Sequence, residues 1–117
     1  MLETVAALEN VEEIIATEGV DMLLVGSNDL CGEMGITGQF DHPRLKEAFA
    51  RSIAAARKVG KHVGIGGLAS RDDLMAQFVQ SGARYVSTGT DLAFLLGACA
   101  QRAAFVHGIG RAVPVET

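Results

Sequence analysis

Two short acidic stretches hold the residues whose types and spacing could do chemistry. Glu3 stands in Leu2-Glu3-Thr4, and Asp29 in Gly26-Ser27-Asn28-Asp29-Leu30, directly after the apolar run Met22-Leu23-Leu24-Val25. Each closes a segment that reads as the end of a buried strand. If the two strands neighbour one another in a parallel sheet, both carboxylates share one rim, with backbones roughly 5 Å apart. Carboxylates that close repel unless a proton or a cation lies between them. A hard divalent ion such as Mg²⁺ or Mn²⁺ meets that need, because it takes oxygen ligands and keeps positions for water or substrate. Each residue also has a plain reading: Glu3 as a solvated acid near the first residue, Asp29 as an N-cap or Asx-turn. Spacing alone leaves the pair undecided.

The elements that must position these acids alternate between strand-like and helix-like periods. Leu8, Val11, Ile14 and Ile15 share a helical face that ends at Gly19, and residues 22–25 read as a strand. Asp41-His42-Pro43 marks a helix start, with His42 near the N-cap and Pro43 in the first turn. Leu45, Phe49, Ile53 and Ala56 carry that helix's buried stripe up to Gly60. Residues 62–65 form the next strand, running into a loop of Gly64, Gly66 and Gly67 that lacks phosphate-loop spacing. A helix starting near 70–73 turns Leu74, Phe78 and Val79 inward and ends at Gly82. Residues 84–87 form another strand. The last helix sets Leu92, Leu95, Leu96, Cys99, Ala103 and Val106 at core spacing, and 113–117 is expected to be a frayed tail. This is a parallel α/β pattern with helical crossovers. Counting residues 1–4 as a strand end, it holds four βα units, half of an eight-unit (β/α)8 TIM-type barrel.

Composition removes several classes. With 117 residues the chain suits one small domain, and a net charge of −4 without a basic cluster gives no nucleic-acid surface. Lys46, Arg51, Arg57, Lys58 and Lys61 spread along one helix and the following turn as a solvated face. No stretch reads as long and apolar enough for a bilayer, and the first residues lack a signal pattern, so no membrane partner is expected. Cys31 and Cys99 are too few for a disulfide framework or a zinc site and read as small buried hydrophobes. A cytoplasmic setting follows as the default.

The stretch "MLETVAALENVEEIIATEGVDMLLVGSNDLCGEMGITGQFDHP", with "GARYVSTGTDLAFL" further on, resembles the second half of the HpcH/HpaI aldolases, metal-dependent class II pyruvate aldolases with citrate-lyase-β relatives. The resemblance rests on the paired Glu-Thr and G-x-x-D-L strand ends and covers nearly the whole chain. It implies that residues 1–112 are the C-terminal half of a TIM-barrel aldolase. Glu3 and Asp29 would then hold a divalent metal, Mg²⁺ or Mn²⁺, with Co²⁺ also compatible. Backbone amides around Ser27, Asn28 and Asp29 would hold the pyruvate carboxylate, and Leu68 would wall the site. The implied reaction is aldol cleavage or condensation of 4-hydroxy-2-oxo acids, such as 4-hydroxy-2-oxoheptanedioate or 2-dehydro-3-deoxyglucarate, through a pyruvate enolate. The cation would stabilise the enolate's charge where it develops. Lys46, Lys58 and Lys61 lie in or after a helix, so no Schiff-base lysine is expected.

The same resemblance assigns the catalytic His, its partner acid and a substrate Arg to the first half of the barrel. No catalytic base is therefore assigned to His42, His62 or His107, and the chain is expected to be a truncated product or a segment of a longer protein. Homo-oligomers, formed partly by exchange of the last helix, are implied as well, which makes residues 92–106 a candidate contact surface beside ordinary core packing. Two alternatives stand. Ser27-Asn28-Asp29-Leu30 is also similar to the metal motif of phosphoenolpyruvate-utilising enzymes, but Ile65-Gly66-Gly67-Leu68-Ala69 lacks their reactive cysteine and acid. The other is a non-catalytic half-barrel that serves as an interaction module.

Overall fold

Three parallel strands make the sheet: β1 (Met22–Gly26), β2 (His62–Gly66) and β3 (Tyr85–Val86), in the order β1-β2-β3. They are seen in a computed structural model that describes residues 1–112, so the expected tail at 113–117 lies outside the described residues. Leu2 extends the sheet past β1 by a single parallel bridge to Val25. Its N–H donates to the Leu24 carbonyl at 2.7 Å, and the Gly26 N–H donates to its carbonyl at 3.0 Å. The strand end expected at 1–4 is thus present as one bridge. Gly26 pairs with Gly66, so β1 and β2 finish together at one rim.

Helices α1 (Val5–Glu9) and α2 (Val11–Ala16) follow the first bridge. The Thr4 hydroxyl caps α1 by accepting from the Ala7 amide at 3.1 Å, and Asn10 divides the two helices. After β1 comes α3 (Ser27–Glu33), a helix the sequence reading did not set out, though it read Asp29 as an N-cap or Asx-turn. Then come α4 (Pro43–Lys58), α5 (Asp72–Ser81) and α6 (Asp91–Ala112). His42 caps α4, its Nδ1 accepting from the Arg44 amide at 3.2 Å, and Pro43 fills the first turn, where its missing N–H costs nothing. Gly82 ends α5 at φ +128°, a conformation that a side chain would strain.

One face of the sheet carries the core. Leu23, Val25, Val63 and Ile65 are buried, together with Leu45, Phe49 and Ile53 of α4, Leu74 and Phe78 of α5, and Val11 and Ile15 of α2. Phe49 stacks on Phe78 with ring centroids 3.9 Å apart. The opposite face carries Met22 and Tyr85, both exposed, and Leu24, which lies with Tyr85 over Gly64. Parallel sheets are ordinarily covered on both faces, so this bare face is unusual.

Three expectations are corrected here. Val79 is exposed rather than inward, because only Leu74 and Phe78 of α5 reach the core. The last helix does not pack in the core: Leu92, Leu95, Leu96 and Val106 are all more than half exposed, and Cys99 is exposed rather than buried. Alpha-helix α6 stands away from the sheet and stretches the molecule to 74 Å, with a radius of gyration of 19.7 Å. A compact chain of this length has a radius of roughly 13 Å. Residues Asp91–Ile109 of α6 also reach membrane-spanning length, with mean hydropathy 1.4, which corrects the expectation that no stretch does. Leucine, phenylalanine and alanine dominate that stretch, and Arg102 sits within the span, 4.9 Å over the Phe105 ring.

Candidate functional site

The strand ends that close together at the rim open into a cavity of about 240 Å³. Met1, Glu3, Leu24, Gly26, Ser27, Asn28, Asp29, Gly66, Gly67 and Ser87 line it. Glu3 follows the bridge residue Leu2, and its side chain lies across the end of β1. It does so because position 26 is glycine: a Cβ there would sit 2.6 Å from Glu3 Cγ and 2.8 Å from Oε1. Asp29 enters from the first turn of α3, whose N-cap is that same Gly26. Glu3 is half-buried and Asp29 exposed, and both line this cavity.

Glycine also shapes the other wall. Gly67 has φ +79°, and a Cβ on it would come within 2.7 Å of Asn28 Nδ2. That amide donates to the Gly67 carbonyl at 3.4 Å, a long bond that joins α3 to the loop after β2. Ser27 is fully buried, and its Oγ has no hydrogen-bond partner among the described residues. Burying a hydroxyl without a partner is costly, and such orphans in folded proteins call for an explanation.

Glu3, Ser27, Asn28 and Asp29 therefore come together as the sequence suggested. Leu68 does not join them: it is fully buried in the core and does not line the cavity. Ser87 does line it, although the sequence reading passed over it as part of a strand. The available signal was position, since residues 84–87 end at the same rim as β1 and β2. Its amide donates to the Ile65 carbonyl at 2.9 Å, which holds that strand end in place. Among the described residues no three His, Cys, Asp or Glu side chains converge, so any cation here relies on two carboxylates. That donor set fits a hard ion such as Mg²⁺, which is commonly held by one or two carboxylates and completes its shell with water and substrate oxygens.

A second cavity, of about 190 Å³, lies among α1, α4 and Met34 and shares no lining residue with the first. Arg44 and Arg51 border it, but both are engaged: Arg44 Nη1 donates to the Met34 carbonyl at 2.8 Å, and Arg51 Nη2 to Glu9 O and Glu12 Oε2. Burial pushes the Cys31 thiol above its ordinary pKa, which keeps it protonated and unreactive. His42 is spent on its cap, and His62 opens β2 at the opposite rim.

Comparison with known proteins places this geometry. Residues 1–98 match the family profile described as HpcH/HpaI aldolase/citrate lyase. A 5-keto-4-deoxy-D-glucarate aldolase from Klebsiella pneumoniae is 38% identical over 91 residues, which are 78% of this chain and 35% of the relative. A 4-hydroxy-2-oxo-heptane-1,7-dioate aldolase from Shigella sonnei is 34% identical over 103 residues, 88% of this chain and 38% of the relative. The crystal structure of an HpcH/HpaI aldolase/citrate lyase family protein from Burkholderia cenocepacia superposes with a TM-score of 0.79 at 34% identity, covering 91% of this chain and 40% of that one. The chain thus spans well under half the length of the proteins it matches.

Proposed function

Because the chain belongs to the HpcH/HpaI aldolase/citrate lyase family, we propose that it forms the metal- and pyruvate-binding side of an aldolase acting on 4-hydroxy-2-oxo acids. One observation carries this reading: Glu3 and Asp29, from successive βα units, line one cavity at the strand ends, with Gly26 leaving room for Glu3 to reach it. In α/β barrels the strand C-termini are where catalytic residues gather. Family membership supports the lyase class, and the named relatives support the substrate class.

In this reading Glu3 and Asp29 hold the divalent ion, Mg²⁺ or Mn²⁺ with Co²⁺ as a third fit. The ion would supply Lewis-acid polarisation of a 2-oxo group. The chain's own part is to bind and orient. Backbone amides at the start of α3, uncapped by any side chain, offer donors to a carboxylate. Asn28 and Gly67 close the wall beside them, and Ser87 faces the cavity from the far strand.

The bare sheet face and the single bridge at Leu2 support the further reading that residues 1–112 are half of a (β/α)8 barrel. The catalytic base would come from the other half, in a cytoplasmic enzyme. Exposed Leu95, Leu96 and Phe105 support homo-oligomers formed through α6. The phosphoenolpyruvate alternative loses ground, since buried Cys31 is no nucleophile and positions 65–69 carry neither cysteine nor acid.

The test pairs metal and mutation. Supplied with the first half of a family barrel, the chain should cleave 4-hydroxy-2-oxo acids with Mn²⁺ or Mg²⁺ and lose that activity in EDTA or as Asp29→Ala. Activity that survives both treatments would sink the metal reading.

A further inference from the structure

One charged cluster beside the cavity has no part in the chemistry above. Arg71, at the N-cap of α5, donates through Nε to Asp73 Oδ1 at 2.9 Å and through Nη2 to Asp73 Oδ2 at 2.7 Å. The same Nη2 donates to Asp41 Oδ1 at 2.9 Å, thirty residues away in the connection between α3 and α4. Asp73 is local and braces the guanidinium, whereas Asp41 lies in the connection that follows α3. The loop that carries the cavity residue Gly67 is thereby joined to that connection.

We propose that Arg71 is a positioning residue: it ties the loop at residues 67–71 to the connection at 34–42, and so sets the approach of Gly67 to Asn28 across the cavity. Three features of the loop point this way. The Asn28–Gly67 hydrogen bond is exposed and 3.4 Å long, too weak to hold the wall alone. Buried Leu68 fixes the depth of the loop against the core but leaves its placement along the rim to polar contacts. The Arg71 amide donates to the Leu68 carbonyl at 2.9 Å, folding 68–71 into a turn, so that a displaced Arg71 carries Gly67 with it. Asp41 and Asp73 are largely exposed, and surface ion pairs add little to global stability. What this one adds is local order at the site, and its catalytic meaning rests on the function proposed above.

The test is amide hydrogen exchange on the full chain as Arg71→Ala and Arg71→Lys, with Arg51→Ala as a control that breaks the ion pair to Glu12 elsewhere. In Arg71→Ala, the amides of residues 39 and 42, which bond within the 34–42 connection, and that of residue 71 should exchange faster together, by roughly tenfold, with an unchanged thermal midpoint. The Asn28 side-chain amide resonance should shift as well. Arg71→Lys should restore part of the protection, and Arg51→Ala should alter none of these signals. Acceleration confined to residue 71, or none, overturns the tether. Calorimetry with Mn²⁺ and pyruvate then separates the two claims. A working tether predicts weaker pyruvate binding in Arg71→Ala at unchanged Mn²⁺ affinity. Wild-type chain that binds no pyruvate even when supplied with the first half of a family barrel would sink the aldolase reading, while the exchange data still decide the tether.

Discussion

Helices α4 and α6 are both long and both rich in alanine, yet they meet opposite fates. In α4 the apolar residues Leu45, Phe49, Ile53 and Ala56 fall on one stripe, and all are buried against the sheet. In α6, Leu92, Phe94, Leu95, Leu96, Phe105, Val106 and Ile109 run round the helix, and each is more than half exposed. A helix that is apolar on every side needs covering on more than one side, which a single sheet face does not provide. The difference teaches where this chain's own core stops. Everything up to β3 is folded by contacts within the chain, whereas α6 presents a surface suited to contacts beyond it.

Matched substitutions give that contrast its largest test. Phe49 is fully buried and stacked on Phe78, so Phe49→Ala should cost about 3–5 kcal/mol in chemical denaturation. Phe105→Ala, measured in dilute solution, should stay within about 0.5 kcal/mol, the scale of a surface change. Equal costs at the two positions would mean that α6 belongs to the core after all. Next in size is Gly26→Ala at the rim. Its methyl would meet Glu3 Cγ at 2.6 Å and push the carboxylate aside. Mn²⁺ affinity, read by titration calorimetry, should fall roughly 10–100-fold, as it does when the support of a metal ligand is lost. An unchanged affinity would remove Glu3 from the site. Smaller for the fold, though visible in assembly, is Leu95→Glu with Leu96→Glu. Sedimentation velocity should show a lower oligomeric state than the parent, with the melting transition of the body unmoved.

What the sequence disclosed and what it hid divide along the same line. The stripe of α4, its start at His42-Pro43 and its end near Gly60 were legible because local rules set them: a proline in the first turn, a capping side chain, a period of 3.6. Glu3 and Asp29 could be paired because strand ends in a parallel sheet share a rim, but only the family resemblance chose the metal reading and added Ser27 and Asn28. Helix α3 was hidden, since Ser-Asn-Asp is turn chemistry and helix-start chemistry alike. Leu68 was misplaced because a leucine between Gly67 and Ala69 gives no sign of which way it turns, and here it turns into the core. Ser87 was overlooked because its role comes from the register of β3, a long-range fact. The exposure of α6 was illegible in principle: periodicity reports that a helix wants to be buried, not which surface buries it.

The smallest effect concerns charge near the rim, where the loop at 67–71 is held by ion pairs, while among the described residues none holds α6. Arg71 draws the Asp73 carboxyl down to about 2 and lowers that of Asp41 too, chiefly by donating hydrogen bonds to their ionised forms. In the unfolded chain both acids return to the ordinary aspartate value near 3.9. A carboxyl depressed in the folded state stabilises it above the unfolded value, and the contribution fades as pH falls through the folded one. The window for Asp73 therefore runs from about pH 4 down to about pH 2. Both acids are exposed, so water and salt screen the effect and keep it small. Lowering the pH from 5 to 2.5 should speed exchange at the residue 71 amide beyond the intrinsic change, and less so at high salt, where the pair is already screened. In Arg71→Ala that excess should vanish, because no partner is left to lose. If the excess persisted in the variant, acid would be loosening the rim by a route other than this guanidinium, and the loop would owe its order to Leu68 alone.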